Sequence, residues 1–343
     1  MIKKPFVERW HSDAFDNRSI ANQIFMDVKK NLKIIPHPQT GWRSYPNQML
    51  NSISINKNGL RNEEIEILDK NLKNCFLLGG SVAWGFGASS NKKTPSYQIE
   101  KILREEFMTK VNIINLADQG YSSIEECNSF LFSFYELKPS MIIILSGIND
   151  INFEYNNRYK KIDQYENLIN SYLLMDKLGV IKEKNIFKIF LKFLFKSYKK
   201  NLKINDEFFY FNKPEKNNIA YSLYQSKIDF IKNFCEQKKI PVYNCLQPDL
   251  SFKKNKSNFE KNYINFIEDE NNEHISNKLK QFEDSFFKKE NDTKYFKNLS
   301  LLNCFDNFKE TIFIDRTHIA DKGNEFMSRR ISSFIYENLP KVD

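Results

Sequence analysis

Residues 75–87 constrain the chain most. Cys75, Phe76, Leu77 and Leu78 form an apolar run that ends abruptly in Gly79, Gly80 and a single Ser81, followed by Gly85 and Gly87. A short apolar run bounded by glycines suits a parallel strand covered on both faces. The glycines let the backbone turn sharply and present Ser81 at the C-terminal edge, where open α/β sheets bind ligands. Glycines after a strand can also cradle phosphate. Gly80 and Gly85 have the spacing that opens a P-loop, but Phe86 and Gly87 stand where Lys and Ser/Thr are needed. No G-x-G-x-x-G can be laid over Gly79, Gly80, Gly85 and Gly87, so neither nucleotide motif survives.

A nucleophilic serine needs a base, a group that orients the base, and donors aimed at the developing oxyanion. Residues 311–318 supply an Asp and a His three apart, Asp315 and His318, after a β-rich run. Such a pair on a loop can set a carboxylate against an imidazole and fix its tautomer. Two further strand-to-loop junctions lie between: 111–120, which ends in Gly120, and 141–150, which ends in Gly147, Ile148, Asn149 and Asp150. The bland alternative is that Ser81 caps a helix and Asp315 and His318 pair locally.

Four blocks, Gly79-Gly80-Ser81, Gly120, Gly147-Ile148-Asn149-Asp150 and Asp315-Arg316-Thr317-His318, stand in the order in which the SGNH, or GDSL-like, hydrolases carry theirs. The chain resembles that family. The resemblance implies Ser81 as nucleophile, His318 as base and Asp315 as its orienter. The oxyanion hole would be the backbone N–H groups of Ser81 and Gly120 with the side-chain amide of Asn149. It also implies a flavodoxin-like three-layer α/β/α sandwich with a parallel central sheet. One position departs: the family's name-giving Gly-Asp-Ser is here Gly79-Gly80-Ser81, which bears on local packing more than on chemistry.

The alternation along the chain supports an α/β domain. A helix is expected over 94–107 with Thr94 as cap and Pro95 at its first position. A second should open at Ser122 or Ser123, with Glu125 and Glu126 in its first turn, and stop before Pro139. Strands at 74–79, 111–117 and 140–146 joined by these helices make a doubly wound sheet. Further on, 219–238 reads as an amphipathic helix, 240–248 as a strand, 311–315 as a final strand and 320–338 as a closing helix. Gln247, at the end of its strand, is a candidate substrate contact or a tie within the loop.

The domain reading is an N-terminal extension, 1–72, packed on a catalytic domain, 73–343, that carries helical insertions at about 151–217 and 251–300. Within the extension a helical piece is expected near 20–32. Trp42, Arg43 and Arg61 could border the pocket, or Trp42 could pack the extension down while the arginines cap carbonyls. The segment ending Asn56-x-x-Gly59-Leu60-Arg61 resembles the lead-in of one family subgroup met beside surface-glycan genes. In the first insertion Lys184, Lys188, Lys192 and Lys196 recur every fourth residue amid Phe and Leu. That helix, around 185–200, could contact a membrane peripherally, cover an acyl pocket as a lid, or pack as scaffold.

The 52 Lys+Arg against 43 Asp+Glu give a net charge of +9, but the lysines are dispersed and no nucleic-acid motif accompanies them. A nucleic-acid partner is therefore not expected. Five cysteines are odd in number and widely spaced, which suits reduced thiols. With no C-x-x-C and four scattered histidines, neither a metal nor another cofactor is expected. His274 among Glu268, Asp269, Glu270 and Glu273 fits a solvated helical face better than a metal site. The basic N-terminus lacks an apolar h-region, so a cytoplasmic location is expected. The functional expectation is ester hydrolysis through an acyl-serine on a small-molecule or glycan ester, with a carbohydrate O-acetyl or O-acyl ester preferred. Alternatives are lipid or thioester hydrolysis, O-acyl transfer, or non-catalytic glycan binding on the same scaffold.

Overall fold

A computed structural model describes residues 12–155, 219–267 and 270–340. The lysine-striped helix, nearly all of the insertion that carries it and the first eleven residues lie outside the described residues. No described helix is long and apolar enough to cross a membrane.

The chain begins with helix α1 (Arg18–Met26), capped by Asn17 and continued by one wider turn (Asp27–Asn31). Two antiparallel ribbons follow: β1 (Ile34–His37) with β2 (Gly41–Ser44), and β3 (Gln48–Met49) with β4 (Ser54–Ile55). Then come β5 (Lys73–Gly79), the one-turn helix α2 (Ser81–Trp84), α3 (Pro95–Glu105), β6 (Val111–Asn115), α4 (Ser123–Leu137), β7 (Met141–Ser146) and α5 (Ile148–Tyr155). The last part holds α6 (Ile219–Gln237), β8 (Val242–Leu246), α7 (Asn258–Ile267), α8 (Glu270–Phe286), β9 (Phe296–Ser300) and α9 (Asp321–Glu337).

Five strands form one parallel sheet in the order β6-β5-β7-β8-β9, so the chain runs outward one way from β5 and then the other. This is the flavodoxin-like order, and its topological switch lies between β5 and β7. Period-two alternation divides each apolar strand between two layers. Cys75, Leu77, Ile143 and Leu145 face a core completed by Ile99, Leu103, Met327 and Ile331. Phe76, Leu78, Ile142 and Ile144 face one built with Phe130, Tyr224, Ile231 and Phe282. Helices thus cover both faces, which makes a three-layer α/β/α sandwich.

Local chemistry accounts for the helix starts. Thr94 caps α3 with Pro95 in the first turn. Ser122 caps α4, and Glu125 accepts the Ser122 N–H at 2.8 Å to complete a capping box. Lys138, at φ +44°, ends α4 just before Pro139.

Two expectations fail. Residues 311–315 are not a strand of the sheet: the segment forms only a single antiparallel bridge, Phe313 to Ile319. The fifth strand is β9, inside the segment 251–300 expected to be a helical insertion. Both errors have one cause. Residues 311–315 are all buried and look like a strand, but they pack under α7 and α9. In β9, two of the five residues stay partly exposed at the sheet edge, so its apolar signal is weak.

Candidate active site

The position of Ser81 depends on two close approaches. A Cβ on Gly79, whose φ is +153°, would sit 2.3 Å from the Leu145 carbonyl oxygen. One on Gly80 would meet Asn149 Nδ2 at 2.4 Å and the Tyr121 carbonyl oxygen at 3.0 Å. Only glycines let β5 turn this tightly against β7, and the turn sets Ser81 as the first residue of α2. At position 80 the Asn149 amide fills the space that a side chain would need.

His318 reaches Ser81 from 237 residues away, with Asp315 behind it. Their loop is closed by the Ile314 N–H donating to the His318 carbonyl at 2.9 Å. Asp315 Oδ1 accepts the backbone N–H groups of Thr317 and His318, both at 2.9 Å. Its Oδ2 lies 2.7 Å from His318 Nδ1, and His318 Nε2 lies 2.7 Å from Ser81 Oγ. A carboxylate that accepts at Nδ1 places the ring proton there and leaves Nε2 free to take the serine proton. Phe86 stacks on the imidazole at 4.1 Å, fixing its plane.

Asn149 and Gly120 occupy the same edge. Asn149 Nδ2 donates to the Tyr121 carbonyl at 2.8 Å, which uses one amide hydrogen and leaves the other for a ligand. Gly120 has φ +79° and follows Gln119, whose carbonyl accepts the Trp42 indole N–H at 2.8 Å. Neither the Ser81 nor the Gly120 N–H has an acceptor among the described residues.

Other singled-out residues fall differently. Arg61 is 1% exposed; it donates to the Gly85, Ser52 and Ala88 carbonyls and stacks on Trp84. Burial lowers its pKa to about 9, Asp321 and Asp27 opposing the fall. It therefore caps carbonyls and does not border a pocket. Arg43 donates to the Asn58 carbonyl at 3.3 Å. Gln247 is buried at the end of β8, and its Nε2 has no hydrogen-bond partner among the described residues. His274 belongs to no group of three or more candidate metal ligands among the described residues.

Several supporting residues escaped the sequence reading. Arg316, inside the Asp-His loop, donates from Nε to buried Asp249 at 2.7 Å and from a terminal nitrogen to Ser276 Oγ at 3.0 Å. Glu260 Oε1 accepts the N–H groups of Ile312 and Phe313 at 2.9 and 3.1 Å, and Oε2 pairs with Lys253 Nζ at 2.5 Å. Both members of that pair are fully buried. Asp249, just beyond Gln247, carried only the weak signal of an acidic residue at a strand end; Lys253 and Glu260 looked like ordinary surface charges.

Fold and site together define a flavodoxin-like α/β protein with a Ser-His-Asp hydrogen-bond line at its topological switch. No protein-family model and no curated protein matches the chain. Among solved structures, it is similar to a protein described as lipolytic, of the G-D-S-L family, from Desulfitobacterium hafniense DCB-2. That match has 9% identity and a TM-score of 0.39, and it covers 77% of this chain and 99% of that one. It is similar also to a lipase/acylhydrolase from Enterococcus faecalis, with 11% identity and TM-score 0.41 over 79% of this chain and 100% of that one. An acetylxylan esterase from Geobacillus stearothermophilus matches at 12% identity and TM-score 0.39, over 77% and 95%. Likenesses this distant leave function to the site itself.

Proposed function

We propose that the protein is a serine hydrolase acting on ester bonds through an acyl-enzyme. The carrying observation is the unbroken line from Asp315 through His318 to Ser81, with both contacts at 2.7 Å. In this mechanism His318 Nε2 takes the Ser81 proton as Oγ attacks the ester carbonyl carbon. The resulting oxyanion is held by the N–H groups of Ser81 and Gly120 and the free amide hydrogen of Asn149, each worth about 2.7 to 4 kcal/mol in the transition state. His318 then protonates the departing alcohol, leaving the acyl group on Ser81. A water, deprotonated by the same imidazole, releases the acid and restores the serine.

For the substrate we propose a carbohydrate O-acetyl or O-acyl ester. This part is supported by the resemblance of the Asn56-to-Arg61 lead-in to the glycan-associated subgroup. The test is release of acid from acetylated sugars and from short- and long-chain nitrophenyl esters by wild type and Ser81→Ala. Turnover of acetyl esters by wild type alone is expected. Wild-type-like turnover in Ser81→Ala would assign the nucleophile elsewhere, and a preference for long acyl chains would replace the carbohydrate ester with a lipid one.

A further inference from the structure

The N-terminal ribbon β1/β2 grips the loop that carries Gly120. Ser44 gives both its N–H and its hydroxyl to the buried Asp118 carboxylate, at 2.7 and 3.1 Å. The Tyr121 hydroxyl lies 2.7 Å from the Trp42 carbonyl and 2.9 Å from Thr40 Oγ1. Asn128 Nδ2 donates to the Gln39 carbonyl at 2.8 Å. Between these ties the Trp42 indole N–H donates to the Gln119 carbonyl at 2.8 Å, with its ring edge-on to Tyr121.

The Gln119 carbonyl and the Gly120 N–H belong to one peptide plane. In a trans peptide they point in opposite directions, so holding the oxygen aims the N–H the other way. Glycine tolerates both signs of φ, so the 119–120 peptide has little intrinsic resistance to flipping. A flip would present a carbonyl where an oxyanion donor is needed. A hydrogen bond on the carbonyl also polarises the same amide and strengthens its N–H as a donor.

We propose that Trp42 is a positioning residue for the oxyanion hole: its indole N–H locks the Gln119–Gly120 peptide with the Gly120 N–H facing the reacting carbonyl. The N-terminal ribbon is then part of the catalytic apparatus through the Gln119–Gly120 peptide that it holds. This inference rests on the serine-hydrolase proposal. It predicts a defect in transition-state stabilisation and not in substrate binding, because the ground-state carbonyl gains little from the donor.

The test compares wild type, Trp42→Phe and a full-length protein carrying benzothienylalanine at position 42, which keeps the bicyclic shape and lacks the N–H. Initial rates with 4-nitrophenyl acetate give kcat and KM, thermal melts report folding, and a fluorophosphonate probe reports Ser81 reactivity. Both variants should lose about 10- to 100-fold in kcat, less than the 10²–10³ of losing a donor outright, with KM within about twofold of wild type. The benzothienylalanine protein keeps the test valid if Trp42→Phe fails to fold. An unchanged kcat in the benzothienylalanine protein, or a loss expressed in KM alone, overturns the positioning role while leaving the hydrolase proposal intact. A wild type that neither turns over ester nor reacts with the probe overturns both.

Discussion

The buried pair of Lys253 and Glu260 anchors the strand-like segment that leads into Asp315, and breaking it should damage stability and turnover together. Both side chains are 0% exposed, and Glu260 also accepts the N–H groups of Ser257, Ile312 and Phe313. Glu260→Gln keeps the shape but leaves the Lys253 ammonium with the Glu310 carbonyl, at 2.6 Å, and no carboxylate. It also turns an amide NH₂ toward an existing donor. Removing one partner of a buried pair costs about 3 to 5 kcal/mol. At about 2 °C per kcal/mol for a chain of this size, the melting temperature should fall by about 6 to 10 °C. The double variant Lys253→Met with Glu260→Leu leaves no charge stranded but takes the acceptor from the N–H groups of Ser257, Ile312 and Phe313, so it should be at least as destabilised as Glu260→Gln. Urea denaturation and thermal melts of the three proteins measure this. A Glu260→Gln protein within about 1 kcal/mol of wild type, or a double variant more stable than the single, would refute the reasoning.

Burial lifts the Asp118 carboxyl from 3.8 to about 6 against its hydrogen bonds from Ser44 and Gln119. The folded state therefore holds this proton more tightly than the unfolded one, and the contribution to stability falls as pH rises from about 4 to 6. At about 1.36 kcal/mol per tenfold change in proton affinity the fall approaches about 3 kcal/mol. The difference in unfolding free energy between wild type and Asp118→Asn, measured across that range, should change with this slope; a flat difference would count against it. Gly80→Ala should push the Asn149 amide from its place, since the new Cβ would start 2.4 Å from Nδ2. Its kcat for acetyl esters should drop by about 10²- to 10³-fold, as for the loss of an oxyanion donor, while a fluorophosphonate still labels Ser81.

Local chemistry in the sequence determined much of this protein. The apolar runs at 75–78, 111–116 and 141–145 read as buried parallel strands and supply β5, β6 and β7, and Thr94-Pro95, Ser122 with Glu125, and Pro139 marked helix ends through capping bonds that neighbouring residues make among themselves. The site was legible in the same way, because Gly79, Gly80, Ser81 and the Asp315-to-His318 spacing each impose a short-range geometry. Tertiary structure decided what depends on distant partners. Whether residues 296–300 or 311–315 supplied the fifth strand turned on which segment could pair with β8, and the less apolar one did. Arg61 became a carbonyl cap, Glu260 an anchor of the Asp-His loop, and Trp42 a tie to the Gly120 loop, because folding brought them to partners 24, 52 and 77 positions away. A side chain's type sets the bonds it can make; only the packed chain sets which groups stand within reach.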